Sequence, residues 1–242
     1  MSQTGESSRF QRVRKYIFRK IKFCLIFFFA SSIVVTLLYR FLPPPVTPLM
    51  MIRVIENISD SKKPTINKHW VPMSDISPNL VLAVIASEDN NFESHYGVDF
   101  KAIEKAQKLN KRSKKIRGAS TITQQTAKNV YLWQARTYVR KGLELYFTGL
   151  IEILWGKKRI MEMYLNVIEM GDGIYGAEAA SQYYFHKSAK NLTRDEAASI
   201  AAVLPNPRRW RPDKPTAYVS RTKSRIIWAM NRVERPDWLI MR

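Results

Sequence analysis

The 242-residue chain reads as an all-α domain, with little or no sheet, behind one apolar N-terminal helix. Three observations predict this. Phe23 to Leu42 is apolar apart from Ser31, Ser32, Thr36 and Arg40, and a helix of that length reaches about 30 Å, the thickness of a bilayer's hydrocarbon core. Val139, Leu143, Tyr146, Phe147, Leu150 and Leu154 recur at three- and four-residue steps, the period of an amphipathic helix. Ser77-Pro78 and Thr193-Arg194-Asp195-Glu196 carry helix-start chemistry, the first as N-cap and first helical residue, the second as a capping box.

The first 22 residues hold Arg9, Arg12, Arg14, Lys15, Arg19, Lys20 and Lys22 against Glu6 alone. The positive-inside bias therefore places them in the cytoplasm, with residues 23–42 as anchor and the rest of the chain outside the cytoplasm. A cleaved signal peptide is the competing reading, but the apolar run is too long and no Ala-x-Ala site ends it. Arg40 can snorkel to the headgroups. Pro43, Pro44, Pro45 and Pro48 then stop the helix, and residues 43–70 read as a proline-rich spacer and linker. The one cysteine, Cys24, lies in the anchor, so packing alone must hold the outer domain, residues 71–242, together.

Within that domain Leu80 to Ala86 is apolar on every face, as a buried helix would be, with a short buried strand as the alternative. A second helix spans about 137–155. A third runs from Lys158 to Val167 until Gly171-Asp172-Gly173 forces a turn. The capping box at Thr193 opens an Ala-rich helix that must end before Pro205. Residues 216–233 form a last basic amphipathic helix.

Forty Lys and Arg against twenty Asp and Glu leave a net charge of +20, which favours phosphate-bearing partners: nucleic acid, anionic headgroups or a diphosphate. Nucleic acid is disfavoured because no zinc-finger, RRM or KH pattern is present and the basic bulk is expected outside the cytoplasm. His69, His95 and His186 show no zinc-site spacing. Ser59-x-x-Lys62 and Ser220-x-x-Lys223 match an acyl-enzyme motif by chance, since no Lys-Thr-Gly or Ser-x-Asn accompanies them.

Glu88 ends the apolar helix, where desolvation and the negative end of the helix dipole both raise a carboxyl's pKa, as a general base for a sugar hydroxyl requires. Capping or pairing with a lysine is the bland alternative. Ser120, Thr121, Thr123, Gln124 and Gln125 cluster behind Gly118, with Lys128 one turn beyond Gln124; short hydroxyls at a helix start can donate to phosphate oxygens. A polar N-cap run explains the hydroxyls but not Gln-Gln followed by Lys. Arg136, Arg140 and Glu144 share one helix face. As simple ion pairs they would contribute about 0.3 kcal/mol each, in the weaker orientation.

Glu88-Asp89-x-x-Phe92-x-x-His95-x-Gly97-x-Asp99, Gly118-x-Ser120-Thr121-Ile122-Thr123-Gln124-Gln125-x-x-Lys128-Asn129 and Arg140-Lys141-x-x-Glu144 resemble the first three motifs of the peptidoglycan glycosyltransferase family. Arg159 to Asn166 resembles the fourth. The resemblance covers about residues 78–212, loosely over 100–117. It implies a lysozyme-like all-α domain on an inner-membrane anchor that polymerises lipid II into β-1,4-linked strands and releases undecaprenyl diphosphate. It further implies Glu88 as base and Glu144 as second catalytic carboxylate. Substrate-binding roles are implied for Asp89, Phe92, Ser120, Thr123, Gln124, Gln125, Lys128, Arg136, Arg140 and Lys141. Glu162 and Asn166 read as packing residues. No protein metal ligand is expected, although Mg²⁺ or Mn²⁺ carried on the diphosphate would leave no sequence trace. The growing glycan strand and cell-division or wall-synthesis proteins are the expected partners. A lytic enzyme using one glutamate is disfavoured by the many cations, and a non-catalytic scaffold by both motif glutamates.

Overall fold

The computed structural model describes residues 3–61, 63–111, 118–135 and 137–240. They divide into two compact units, Met1–Leu42 and Pro43–Arg242. The first is a single helix, α1 (Gln3–Phe41). Its basic beginning is helical without a break into the apolar stretch, so the tail and anchor distinguished in the sequence form one rod. The segment Gln11–Phe41 is long and apolar enough to cross a membrane. Phe23, Phe27 and Phe41 each hold well over half of their surface open, and the free Cys24 is exposed with them.

The second unit begins inside the segment expected to be spacer. Pro48 starts a helix rather than ending one: α2 (Pro48–Ser59) has Thr47 as its N-cap and buries Leu49, Met50 and Asn57. Proline at the first helical position lacks only an N–H that no helix bond would use. Residues 43–70 are thus part of the folded unit. Lys68 donates to the Pro44 and Pro45 carbonyls, the second at 3.1 Å.

α3 (Pro78–Glu88) is the central helix. Ser77 caps it by accepting from Asn79 N and donating to the Leu192 carbonyl at 2.9 Å. Every residue from Leu80 to Ala86 is buried, and their helical backbone resolves the helix–strand ambiguity of that run. α3 lies against α9 (Arg194–Val203) and α10 (Ala217–Met230), which also pack on each other. Ala197, Ala198, Ala201 and Ala202 are all buried; small side chains let the backbones approach closely. α9 carries the expected capping box at Thr193. Lys223 pairs with Asp195 at 2.9 Å and ties α10 to α9, which accounts for one of the chance Ser-x-x-Lys matches.

A second cluster is α5 (Ile122–Tyr131) packed on α6 (Tyr138–Leu154) and α7 (Lys157–Val167). Tyr131 stacks on Phe147 at 4.3 Å between centroids. α4 (Phe100–Asn110) buries none of its residues and is capped by Asp99, which accepts from Ala102 N at 2.8 Å.

A small sheet completes the unit, ordered β1 (Asn67–Lys68), β3 (Ile174–Tyr175), β2 (Glu169–Gly171), with β1–β3 parallel and β2–β3 antiparallel. The turn expected at Gly171-Asp172-Gly173 joins β2 to β3. Gly173 has φ +71°, and a Cβ there would lie 2.7 Å from the Thr65 carbonyl oxygen. Glu162 and Asn166 clasp the segment before α3: Asn166 accepts from Val71 N and donates to Val71 O, while Glu162 accepts from Met73 N. α8 (Ala177–Phe185) and a terminal turn, α11 (Asp237–Ile240), were not assigned from periodicity.

Candidate active site

Glu88 is the last residue of α3 and half-buried. Burial raises its carboxyl pKa, neighbouring Asp89 raises it further, and a hydrogen bond from Gln125 and the charge of Lys128 pull it back. The Gln125 amide donates to Glu88 Oε2 at 2.8 Å. On its other side Tyr164 donates to Gln125 Oε1 at 3.3 Å. Tyr164 is fully buried, so the phenol fixes which end of the amide faces the carboxylate. Sequence reading placed Tyr164 only in a structural motif; nothing in its spacing announced a link to Glu88.

The two motif loops are fastened to each other. Thr121 caps α5 in a full capping box with Gln124, and its hydroxyl donates to the Gly97 carbonyl at 2.5 Å. Asp89 accepts from Ile122 N at 3.1 Å and contacts His95 Nε2 at 2.9 Å. His95 Nδ1 is buried without a hydrogen-bond partner. Asp89 is therefore engaged on both sides in joining α3 to α5, while it also lines the cleft that holds Glu88. Asn91 donates to Asp99 at 2.8 Å, closing the same loop.

Two other expected contact residues are interior. Phe92 is fully buried, with the Lys157 ammonium 4.7 Å from its ring centroid. Thr123 is fully buried and donates to Glu152 at 2.7 Å, and Lys157 bonds the same carboxylate at 2.8 Å and the His95 carbonyl at 2.6 Å. These side chains build the floor beneath the site. Glu152 and Lys157 carried no expected site role, because their bonds to Thr123 and the His95 carbonyl reach segments far away in the chain and leave no periodic signal.

The cationic end is on α6. Glu144 is buried, with Arg140 Nη1 at 2.5 Å from one carboxylate oxygen and Lys141 Nζ bonded to the other. Arg140 also donates to the Ala135 carbonyl. Arg136 lies outside the described residues. Lys128 connects the two ends: burial lowers its pKa, Arg140 and Lys141 lower it further, and Glu144 and Glu88 raise it. It stands in the field of both glutamates, which carboxylates on opposite faces of the molecule would not share. Two adjoining clefts complete the trough. Glu88, Lys101 and Lys105 line one, Gln124, Lys141 and Phe100 the other, and Ser120 lines both.

A carboxyl whose pKa burial raises thus lines one cleft, and Lys141, paired with buried Glu144, lines the cleft beside it. The Transglycosylase family model matches residues 53–231, well beyond the stretch covered by the recognised motifs, and the chain belongs to that family. It is 55% identical over 226 residues to a biosynthetic peptidoglycan transglycosylase of Bdellovibrio bacteriovorus, covering 93% of this chain and 88% of the relative. The protein of that name from Bacteroides thetaiotaomicron is 53% identical over 91% of this chain and 89% of its own length. One from Pseudomonas fluorescens is 45% identical over 93% and 94%.

Proposed function

We propose that this protein polymerises peptidoglycan glycan strands from lipid II, held by α1 in the inner membrane with its N-terminus in the cytoplasm and residues 43–242 in the periplasm. The observation that carries the reading is the α5 arrangement: Gln125 on the Glu88 carboxylate at 2.8 Å and Lys128 in the field of both Glu88 and the Arg140–Glu144–Lys141 cluster. Glu88 removes the proton from the 4-hydroxyl of the acceptor N-acetylglucosamine as its oxygen attacks C1 of the donor sugar. The C1–oxygen bond to the lipid diphosphate breaks, and inversion of an α-linked donor leaves a β-1,4 link. Lys128, Arg140 and Lys141, joined by Arg136 on motif grounds, offset the charge growing on undecaprenyl diphosphate. Ser120 offers its hydroxyl from the wall shared by the two clefts.

Glu144 acts through its cations. Both of its oxygens are taken by Arg140 and Lys141, which suits orientation of the diphosphate. No group of three metal-ligating side chains occurs among the described residues. With both Glu144 oxygens paired to cations, a Mg²⁺ or Mn²⁺ would be carried by the diphosphate itself. The basic start of α1 supports the cytoplasmic N-terminus, and wall-synthesis or division proteins are the partners such a location favours.

Purified full-length protein supplied with lipid II should form lysozyme-sensitive polymer, and Glu88→Gln should reduce the rate by a factor of about 10²–10⁴. Retention of more than a few per cent of the rate removes Glu88 as base; shortening of preformed strands would instead support a lytic enzyme.

A further inference from the structure

The first motif loop is gripped from a side that no motif covers. Its turns between Asp89 and Asp99 are fastened to α5 through Asp89 and the Gly97 carbonyl, and to α7 through Lys157 on the His95 carbonyl. On the remaining edge stands Glu93, at a position the motif leaves open. The Trp238 indole N–H donates to Glu93 Oε1 at 3.2 Å. Trp238 belongs to α11, and the family model stops before it, at Asn231. Pro236 and Leu239 are buried on either side of Trp238, and Leu239 N donates to the Pro236 carbonyl at 2.9 Å, so a seated turn presents the indole. Partial burial raises the Glu93 carboxyl pKa, the Trp238 hydrogen bond and the Lys157 charge pull it back, and Asp237 and Glu152 raise it. Glu93 therefore stands in the field of the Lys157–Glu152 pair, and Glu152 accepts from Thr123 on α5 at 2.7 Å. That is the helix whose Gln125 faces Glu88.

We propose that α11 is a latch on the first motif loop, with Trp238 and Glu93 as positioning residues for the polymerisation step. The inference rests on the transglycosylase reading above and adds a contact that the family pattern does not specify, since one partner fills an open motif position and the other lies beyond the matched residues. The loop has work for such a hold. Asp89, next to Glu88 in the chain, contacts His95 and accepts from Ile122 N, so a shift of the loop moves the end of α3 and the start of α5 together. Glu93 lies near two like charges, Asp237 and Glu152. Without the indole N–H its carboxylate turns toward water, and Lys157 keeps Glu152 and the His95 carbonyl as its partners. An indole has a single donor, and a bond from it to a carboxylate is charge-assisted, so the contact fixes one geometry of the loop edge.

The test uses the full-length chain in detergent with lipid II. Trp238→Phe keeps an aromatic ring in the turn and deletes the donor, while Glu93→Ala deletes the acceptor. Each should lower kcat about three- to tenfold, the scale of one hydrogen bond at a part-exposed site, with KM within about twofold and Tm within about 4 °C. The double variant should lose no more than the worse single variant, because both changes remove the same contact. Glu93→Gln, which still accepts from the indole, should recover part of the loss. Hydrogen exchange over residues 89–99 should quicken in both single variants while exchange in α9 and α10 stays as in the wild type, a pattern that general destabilisation does not give. A kcat unchanged in either single variant, or losses that add in the double variant, overturns the latch while leaving the polymerase reading standing. Absence of polymer from the wild type removes that reading, and exchange over residues 89–99 then decides alone: faster exchange in both single variants supports the latch, and unchanged protection overturns it.

Discussion

Gly97→Ala tests whether the two motif loops are held as tightly as their hydrogen bonds imply. Gly97 has φ +76°, and a Cβ at that position would lie 2.5 Å from Thr148 Cγ2 and 3.0 Å from Glu152 Cγ. Neither neighbour can retreat freely. The Thr148 hydroxyl donates to the Glu144 carbonyl at 2.6 Å, and Glu152 is held by Thr123 and Lys157 at 2.7 and 2.8 Å. The left-handed backbone costs a residue with a Cβ about 1–2 kcal/mol, and the overpacking a further ~1–3 kcal/mol. The sum, about 2–5 kcal/mol, should lower Tm by about 4–20 °C in a unit of this size. Thermal unfolding in detergent measures it. Adding Thr148→Ser deletes the clashing methyl and keeps the hydroxyl, so the double variant should regain the packing part and retain the backbone part. The Gly97 carbonyl also receives the hydroxyl that caps α5, so kcat should fall with Tm as Gln125 and Lys128 shift. A loss below about 1 kcal/mol, or a double variant no more stable than Gly97→Ala, refutes the reasoning.

Removing the donor in Gln125→Met deletes a bond that favours ionised Glu88, so the acid limb of kcat/KM should move to higher pH. Tyr164→Phe should move it the same way by less, and a fixed limb with a lowered plateau would rule out that relay. Because the folded pKa of Glu88 lies above its unfolded value, wild-type stability falls as pH rises from the unfolded value through the folded one. Glu88→Gln should therefore match the wild-type Tm in acid below the unfolded pKa and exceed it at pH 7, and equal midpoints at both pH values would contradict the burial argument. Asn166→Ala should cost about 1–3 kcal/mol in denaturant unfolding, since it strands the part-buried Val71 N–H and C=O that Asn166 pairs at 2.9 and 3.0 Å. Redenaturation at an unchanged midpoint would make the clasp dispensable.

Elements set by local chemistry were legible in the chain. Ser77-Pro78 and Thr193-x-x-Glu196 start helices because their own side chains satisfy helix N–H groups within three residues. The α6 period needed no distant partner to be read. α2 was hidden because a proline after a proline cluster reads equally as a breaker or a first helical residue. The sheet was hidden because strands of two and three residues show no alternation.

The site divides the same way. Motif pattern brought forward Glu88, Ser120, Gln125, Lys128, Arg140, Lys141 and Glu144, yet it assigned Phe92 and Thr123 to substrate when packing places them in the floor. A motif records that a residue type is required at a position and is silent on whether ligand or protein requires it.

By itself the amino-acid order determined the apolar span, the helix starts and the chemical inventory of the trough, because each depends on residues within a few positions of one another. Tertiary structure alone decided that Tyr164 turns the Gln125 amide toward Glu88 and that Glu144's two oxygens are occupied by cations. Those are contacts between segments brought together by burial of α3, and their geometry is set by side-chain packing that no local pattern encodes.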